Sequence, residues 1–172
     1  ATGTGVFTLE SPATNTNRTL TLPDEAGTIL TTATAGVPIG GPAFSAYANS
    51  NQPLSANTTT KLLFQVEEFD TNSNFASSTF TPTVAGYYQI NARMRVGSSP
   101  TNLEIYIYKN GSAYKQGNSV DTTSVGGAVN SIVYCNGSTD YIDIYGRFSS
   151  SQSVSGTQSA TWVNGAMVRS AT

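Results

Sequence analysis

Ten carboxylates and no histidine limit the chemistry open to this 172-residue chain. Without an imidazole, general acid–base work falls to Asp and Glu, and a paired-carboxylate glycosidase needs two such groups about 5–10 Å apart in a sugar cleft. The closest groupings are Glu67, Glu68 and Asp70, and Asp140 with Asp143. On a strand, Glu67 and Glu68 point to opposite faces, which separates that pair. Solvated strand and turn positions account for all five acids, so no catalytic residue is assigned and no enzyme is expected. The single Cys135 cannot close an internal disulfide, and with no histidine it leaves no zinc site of ordinary ligand type. It reads as a buried small hydrophobe. The sequons at Asn17, Asn57, Asn110 and Asn136 are those a Ser/Thr-rich chain carries by chance.

The elements that must position these residues are announced by composition. Only 10% of residues are charged, against roughly 25% in ordinary domains. Thr (25), Ser (21) and Asn (14) together make 60 of 172 residues. Thr suits strands, Ser and Asn suit turns, and the balance points to an all-β chain. The net charge is −2 without a run of like charges, which argues against nucleic acid or an anionic membrane surface as partner. No apolar stretch approaches the ~20 residues that span a bilayer, and no signal peptide is visible, so no membrane insertion is expected.

Three regions follow. Residues 1–32 carry short alternating runs, Val6-Phe7-Thr8-Leu9, Thr19-Leu20-Thr21-Leu22 and Gly27-Thr28-Ile29-Leu30, too few apolar residues for a core of their own. Residues 33–42 (ATAGVPIGGP) read as a Gly/Pro linker. Residues 43–172 form the main domain, with strands predicted at 43–48, 59–66, 86–96, 103–109, 113–121, 127–135, 139–148 and 158–169. Lys109-Asn110-Gly111 and Asn136-Gly137 each sit between two of them as hairpin turns. Many short antiparallel strands mean a sandwich or jelly roll.

Parity then separates two faces. Tyr88, Ile90, Ala92, Met94 and Val96 share one side, as do Leu103, Ile105 and Ile107, and Ile142, Ile144 and Phe148. These are the predicted core. The opposite side carries Tyr106, Tyr108, Tyr141 and Tyr145, a heavy aromatic load for a face in water. Tyr buries area while keeping a polar tip wet, so these four are the predicted subunit interface.

Several of these residues resemble a known signature. Phe64, Asp70, Phe75, Phe80-Thr81-Pro82, Gly86, Tyr88 and Ile90 are similar to the motif of the complement globular-head (C-one-q) domain, in the tumour-necrosis-factor jelly-roll superfamily. Ala43-Phe44-Ser45-Ala46-Tyr47 resembles that family's opening strand, Tyr108-Lys109-Asn110-Gly111 its central hairpin, and Trp162-Val163-Asn164-Gly165-Ala166-Met167-Val168 its closing strand. The likeness covers about 43–169. The Phe75 to Phe80 gap is two residues shorter than usual, and no collagen-like repeat precedes the head. Instead, Pro12-Ala13-Thr14-Asn15-Thr16-Asn17-Arg18-Thr19-Leu20-Thr21-Leu22-Pro23-Asp24 with Gly27-Thr28 resembles a stretch common in bacteriophage tail-fibre proteins.

What the resemblance implies is a homotrimer: a jelly-roll head on a β-rich fibre stalk, bound through that stalk to other virion tail proteins and located in the virion tail fibre, outside the cell. Several complement-like heads bind calcium. The oxygen ligands that ion needs would come here from Asp70, Asp121, Asp140 and Asp143, none in a recognised loop motif; no other cofactor is expected. Because strands alternate in direction, connections near 75–85, 109–112 and 136–139 fall at the linker end, and those near 97–102, 118–126 and 149–157 at the far end. The far set is longer and reads as flexible, so receptor contact is expected from Ser98, Ser99, Thr101, Asn102, Asn118, Asp121, Thr123, Ser150, Gln152 and Ser153. Tyr47 or Tyr114 could stack on a sugar ring if near that tip. The expected function is the receptor-binding tip of a bacteriophage tail fibre, recognising a host cell-surface glycan or outer-membrane protein. The alternative is a trimerisation cap, or a head or neck decoration fibre, that touches no receptor. A bacterial surface protein with the same domain is a third reading, opposed by the stalk-like residues 12–32.

Overall fold

A computed structural model of the chain describes residues 41–97, 102–121 and 126–171, so the expected stalk segment 1–32 and linker residues 33–40 lie outside the described residues. The described strands, in chain order, are β1 (Ala43–Tyr47), β2 (Gln52–Leu54), β3 (Thr60–Lys61), β4 (Val66–Asp70), β5 (Phe75–Ala76), β6 (Thr79–Phe80) and β7 (Gly86–Arg95). Then come β8 (Asn102–Lys109), β9 (Ser112–Asp121), β10 (Gly126–Cys135), β11 (Ile142–Phe148), β12 (Gln152–Val154) and β13 (Trp162–Ser170). No helix occurs among the described residues.

Two antiparallel sheets face each other. One has the order β10-β7-β13-β1-β4, and the other β5-β6-β11-β8-β9 with β3 added beside β11. This is the all-β jelly-roll sandwich expected from the strand pattern. The alternation that predicted the core holds residue by residue: Tyr88, Ile90, Ala92, Met94, Val96, Leu103, Ile105, Ile107, Ile142, Ile144 and Phe148 are all buried. At the end where the chain enters, Phe44 stacks between Phe75 and Phe80, with centroids at 4.8 and 4.4 Å, and Tyr88 meets Phe80 edge-on at 5.3 Å. Tyr88 survives in that core because its hydroxyl donates to the Val84 carbonyl at 2.6 Å. Cys135 is fully buried, and burial pushes its thiol up to about 11.

One predicted strand divides. Residues 59–66 become β3, paired with β11 in the six-stranded sheet, and the first residue of β4, paired with β1 in the other. Between them the chain changes sheets, with Leu62 and Phe64 buried in the core. Backbone groups that leave the ladder there are taken up by side chains. Gln52 Oε1 accepts from Leu63 N at 3.0 Å and Ser78 Oγ from Phe64 N at 2.8 Å. Of the two predicted Asn-Gly hairpins, the one between β8 and β9 forms, with Asn110 (φ 53°) and Gly111 (φ 76°) in the left-handed region. Asn136-Gly137 is instead a crossing from β10 in one sheet to β11 in the other, because Asn136 Oδ1 accepts from Ser138, Thr139 and Asp140 N and Gly137 (φ 71°) lets the chain bend there. A second hairpin, between β5 and β6, turns on Ser77 and Ser78, both at positive φ. The Ser78 hydroxyl offsets that strain through its bonds to Phe64.

Candidate functional site

Of the carboxylates that could have done chemistry, Glu68, Asp70, Asp140 and Asp143 are each committed to a local contact. Glu68 accepts from Ser45 Oγ at 2.6 Å and Gln158 Nε2 at 2.5 Å, and these bonds hold its carboxyl below the usual range. Glu67 is exposed on the same strand. Asp70 closes its own turn, accepting from Asn72 N and Phe75 N. Asp140 is buried, where Asn110 Nδ2 donates at 2.7 Å, Lys109 pairs with it at 2.9 Å and Asn136 N donates at 2.9 Å. Its pKa is lowered, first by Asn110 and then by Lys109. Asp140 thereby ties the Asn110-Gly111 turn to the 136–140 loop. Asp143 is equally buried and pairs with Lys61 at 2.7 Å, beside the Thr79 hydroxyl.

Of the expected calcium anchors, Asp70 and Asp140 accept on both carboxyl oxygens and Asp143 on Oδ1, and among the described residues no three acidic, cysteine or histidine groups gather. Of Asp121 only the backbone is described.

The far end of the sandwich follows the predicted alternation. Arg95 ends β7 opposite Gly126, which starts β10, while Gly86 and Cys135 mark the linker end. Ser98, Ser99, Thr101 and Thr123 lie outside the described residues. Asn102 opens β8, its Oδ1 buried without a partner. Asn118 is exposed, and its Oδ1 accepts from Ala128 N at 3.1 Å. The connection at 149–157, expected to be flexible, is instead pinned. Its centre is β12, which pairs with β2 and buries Val154 beside Leu54. Ser155 N donates to Arg95 O at 2.7 Å and Gly156 N to Asn51 Oδ1 at 2.8 Å. Two apolar anchors under a polar loop are the physical reason. Gln152 and Ser153 line a shallow polar depression there with Pro53, Ser55 and Ser151, and Gln152 Nε2 donates to Ser150 Oγ at 3.1 Å.

Three of the predicted interface tyrosines, Tyr106, Tyr108 and Tyr145, share the outer face of the six-stranded sheet, while Tyr141 precedes β11. Tyr106 is the cross-strand partner of Tyr145, and Tyr108 stacks on Tyr145 at 4.0 Å. Tyr106, Tyr108, Tyr141 and Tyr145 are each half-buried within one copy of the chain. Among the described residues, a bare apolar group lies on the other sheet. Tyr87 (43% exposed), Ile132 (53%), Tyr134 (41%) and Val168 (55%) project from β7, β10 and β13 and line a hollow of about 660 Å³ with Arg169. It sits at the linker end, where Met167 N bonds the Pro42 carbonyl. On the same face, toward β1 and β4, a second hollow of about 260 Å³ lies among Phe69, Ala43, Ala166, Gln89, Asn91 and Asn164. Sequence reasoning passed over this face, although its signal was present: on β10 both parities carry apolar residues, Val133 and Cys135 inward, Ile132 and Tyr134 outward.

No protein-family model and no curated protein matches the sequence. Solved structures do match in fold. Murine APRIL aligns with a TM-score of 0.60 at 8% identity, over 74% of this chain and 99% of its own. The globular domain of the zebrafish complement 1qA protein aligns at 0.58 and 13% identity, over 76% and 99%. Eiger TNF from S. frugiperda aligns at 0.58 and 7%, over 77% and 96%. At such identities the likeness is one of fold: the tumour-necrosis-factor and complement-head jelly roll.

Proposed function

We propose that this chain is the homotrimeric, non-enzymatic receptor-binding head of a bacteriophage tail fibre. The observation that carries the reading is the bare apolar group Tyr87, Ile132, Tyr134 and Val168 at the linker end of the five-stranded sheet. Contiguous apolar surface rimmed by polar residues marks an interaction site. Its occupant is a second copy, because the hollow around exposed Phe69 toward the opposite edge of that sheet offers a different apolar-centred surface for it to meet. A contact between two unlike surfaces of one chain is heterologous, and closes into a ring when the rotation allows. Bare area thus favours this sheet over the half-buried tyrosines of the other as the subunit interface. The stalk-like residues 12–28 and the likeness to complement heads support the fibre context and the count of three.

In such a trimer the far-end connections of three copies surround the tip, and Asn118, Ser150, Gln152 and Ser153 are positioned to meet a host glycan or outer-membrane protein with three-fold avidity. Sedimentation equilibrium tests the assembly: the expected mass is three times the 18.0 kDa chain, and a single-copy species at high concentration overturns it. Purified head should compete with infection, and alanine at Ser150, Gln152 and Ser153 should abolish competition. A head that assembles but never competes is the trimerisation cap. That second reading is favoured by the tip's polar groups bonding one another, as Gly156 does with Asn51 and Ala56 with Ser151.

A further inference from the structure

The tyrosine face of the six-stranded sheet is left without a role if copies meet through the other sheet. Tyr108 and Tyr145 stack with planes 26° apart, and Tyr106 meets Tyr108 edge-on at 6.2 Å. The rings therefore hold one another in place, and a ligand settling on them need not freeze them, which removes a main cost of binding. The charges around them are closed. Lys61 pairs with Asp143 at 2.7 Å and Arg147 with Glu104 at 3.1 Å, and Tyr106 Oη donates to Glu104 at 2.8 Å. Two cations and two anions cancel, so a polyanion finds no free cation in this cluster and a basic peptide no free carboxylate. The aliphatic residues of β8 and β11 all point inward, so the cluster offers aromatic rings, hydroxyls and carboxamides without aliphatic bulk. Gln116, opposite Tyr106 on β9, is an exposed donor and acceptor beside the rings. Burying this face against an apolar protein surface would leave the Tyr108 and Tyr145 hydroxyls without partners, a cost of about 1–3 kcal/mol each.

A pyranose ring matches these features. It presents a flat C–H face to an aromatic ring and uncharged hydroxyls at its edge, and it brings no charge to a surface that has none to spare. The stacked rings stand on a sheet face and not at a closed end, which suits the middle of a sugar chain better than its terminus. We propose that the Tyr106, Tyr108 and Tyr145 face is a binding platform for an internal segment of a neutral polysaccharide, separate from the far-end loops. On a trimer joined through the opposite sheets, three such platforms face outward.

The test is calorimetric titration of the full chain with maltohexaose, cellohexaose and a β-galactan hexamer, with hexagalacturonate as the charged control. At least one neutral hexamer should bind in the high-micromolar to millimolar range while glucose and galactose do not. Tyr108→Leu with Tyr145→Leu keeps apolar volume, removes the rings and should weaken binding at least about tenfold; Tyr108→Phe with Tyr145→Phe should change it less than about threefold. Alanine at Ser150, Gln152 and Ser153 should leave it unchanged. Failure of every neutral hexamer to bind, equal binding of hexagalacturonate, or loss with the loop alanines but not with the leucines overturns the proposal. Sedimentation mass reads the trimer independently of all these outcomes.

Discussion

Ile132→Glu separates assembly from folding. Ile132 is 53% exposed in one copy, so assembly buries about half its side chain, worth about 1 kcal/mol of the roughly 1.5–3 kcal/mol for a full isoleucine. A glutamate there loses that gain and adds the desolvation of a carboxylate, an effective penalty of several kcal/mol. About 4 kcal/mol per subunit becomes about 12 kcal/mol per trimer. The concentration of half-assembly varies as the square root of a trimer's equilibrium constant, so it should rise by roughly four orders of magnitude. In one isolated copy the site is a solvated strand position, and the change costs less than about 1 kcal/mol. Sedimentation velocity at about 1 µM should therefore find a single-copy species whose far-ultraviolet circular dichroism keeps the strand signature. Gln116→Glu places the same charge on the tyrosine sheet and should leave the mass at three copies. An Ile132→Glu protein that stays trimeric, beside a Gln116→Glu protein that falls apart, would refute the reasoning and return the interface to Tyr106, Tyr108, Tyr141 and Tyr145.

Three further outcomes follow from the interior. Burial raises Cys135 to about 11, Tyr88 to about 12 and Tyr106 to about 12. The unfolded chain gives up these protons first, so stability is intact below about pH 9 and falls as pH rises toward 12; thermal melts should show it, and Cys135→Ala should delay its onset. Asp140→Ala leaves Lys109 only its bond to the Tyr134 carbonyl and frees the Asn110-Gly111 turn from the 136–140 loop, and should cost about 3 kcal/mol in denaturant titration. Because the folded-state pKa of Asp140 is lowered, its contribution is present above the ordinary carboxylate value and lost as pH falls through the depressed one, so the variant should lose less stability below pH 4. Gly137→Ala meets both a φ of 71° and the backbone of Val84 and Ala85, and should lower the midpoint by an amount equivalent to about 1–3 kcal/mol.

Much of the fold was legible because it is written locally. Alternation along 86–96, 103–108 and 142–148 names the buried side of each strand without knowledge of its neighbours, since successive side chains must point to opposite faces. Asn110-Gly111 announces its turn because few other residues tolerate positive φ twice in succession, whereas the same pair at Asn136-Gly137 could not reveal that its flanking strands belong to different sheets. The Ser77-Ser78 hairpin was not legible: its strain is offset by Phe64, which is distant in sequence. Nor was the pinning of 149–157, which depends on β2, about a hundred residues earlier.

The tyrosines mark the same boundary. That Tyr106 and Tyr108 lie on one side of their strand was decided by their spacing alone; that Tyr145 joins them follows from the register of β11 on β8. How much of each ring is left bare depends on which rings stand beside them, and that is set by the pairing of β8 with β11. The apolar group of Tyr87, Ile132, Tyr134 and Val168 exists only because β10 and β13 flank β7 in register, gathering side chains from three distant stretches onto one patch. Parity is a property of the bonded chain, whereas a surface is the sum of what strands of unrelated sequence position bring side by side.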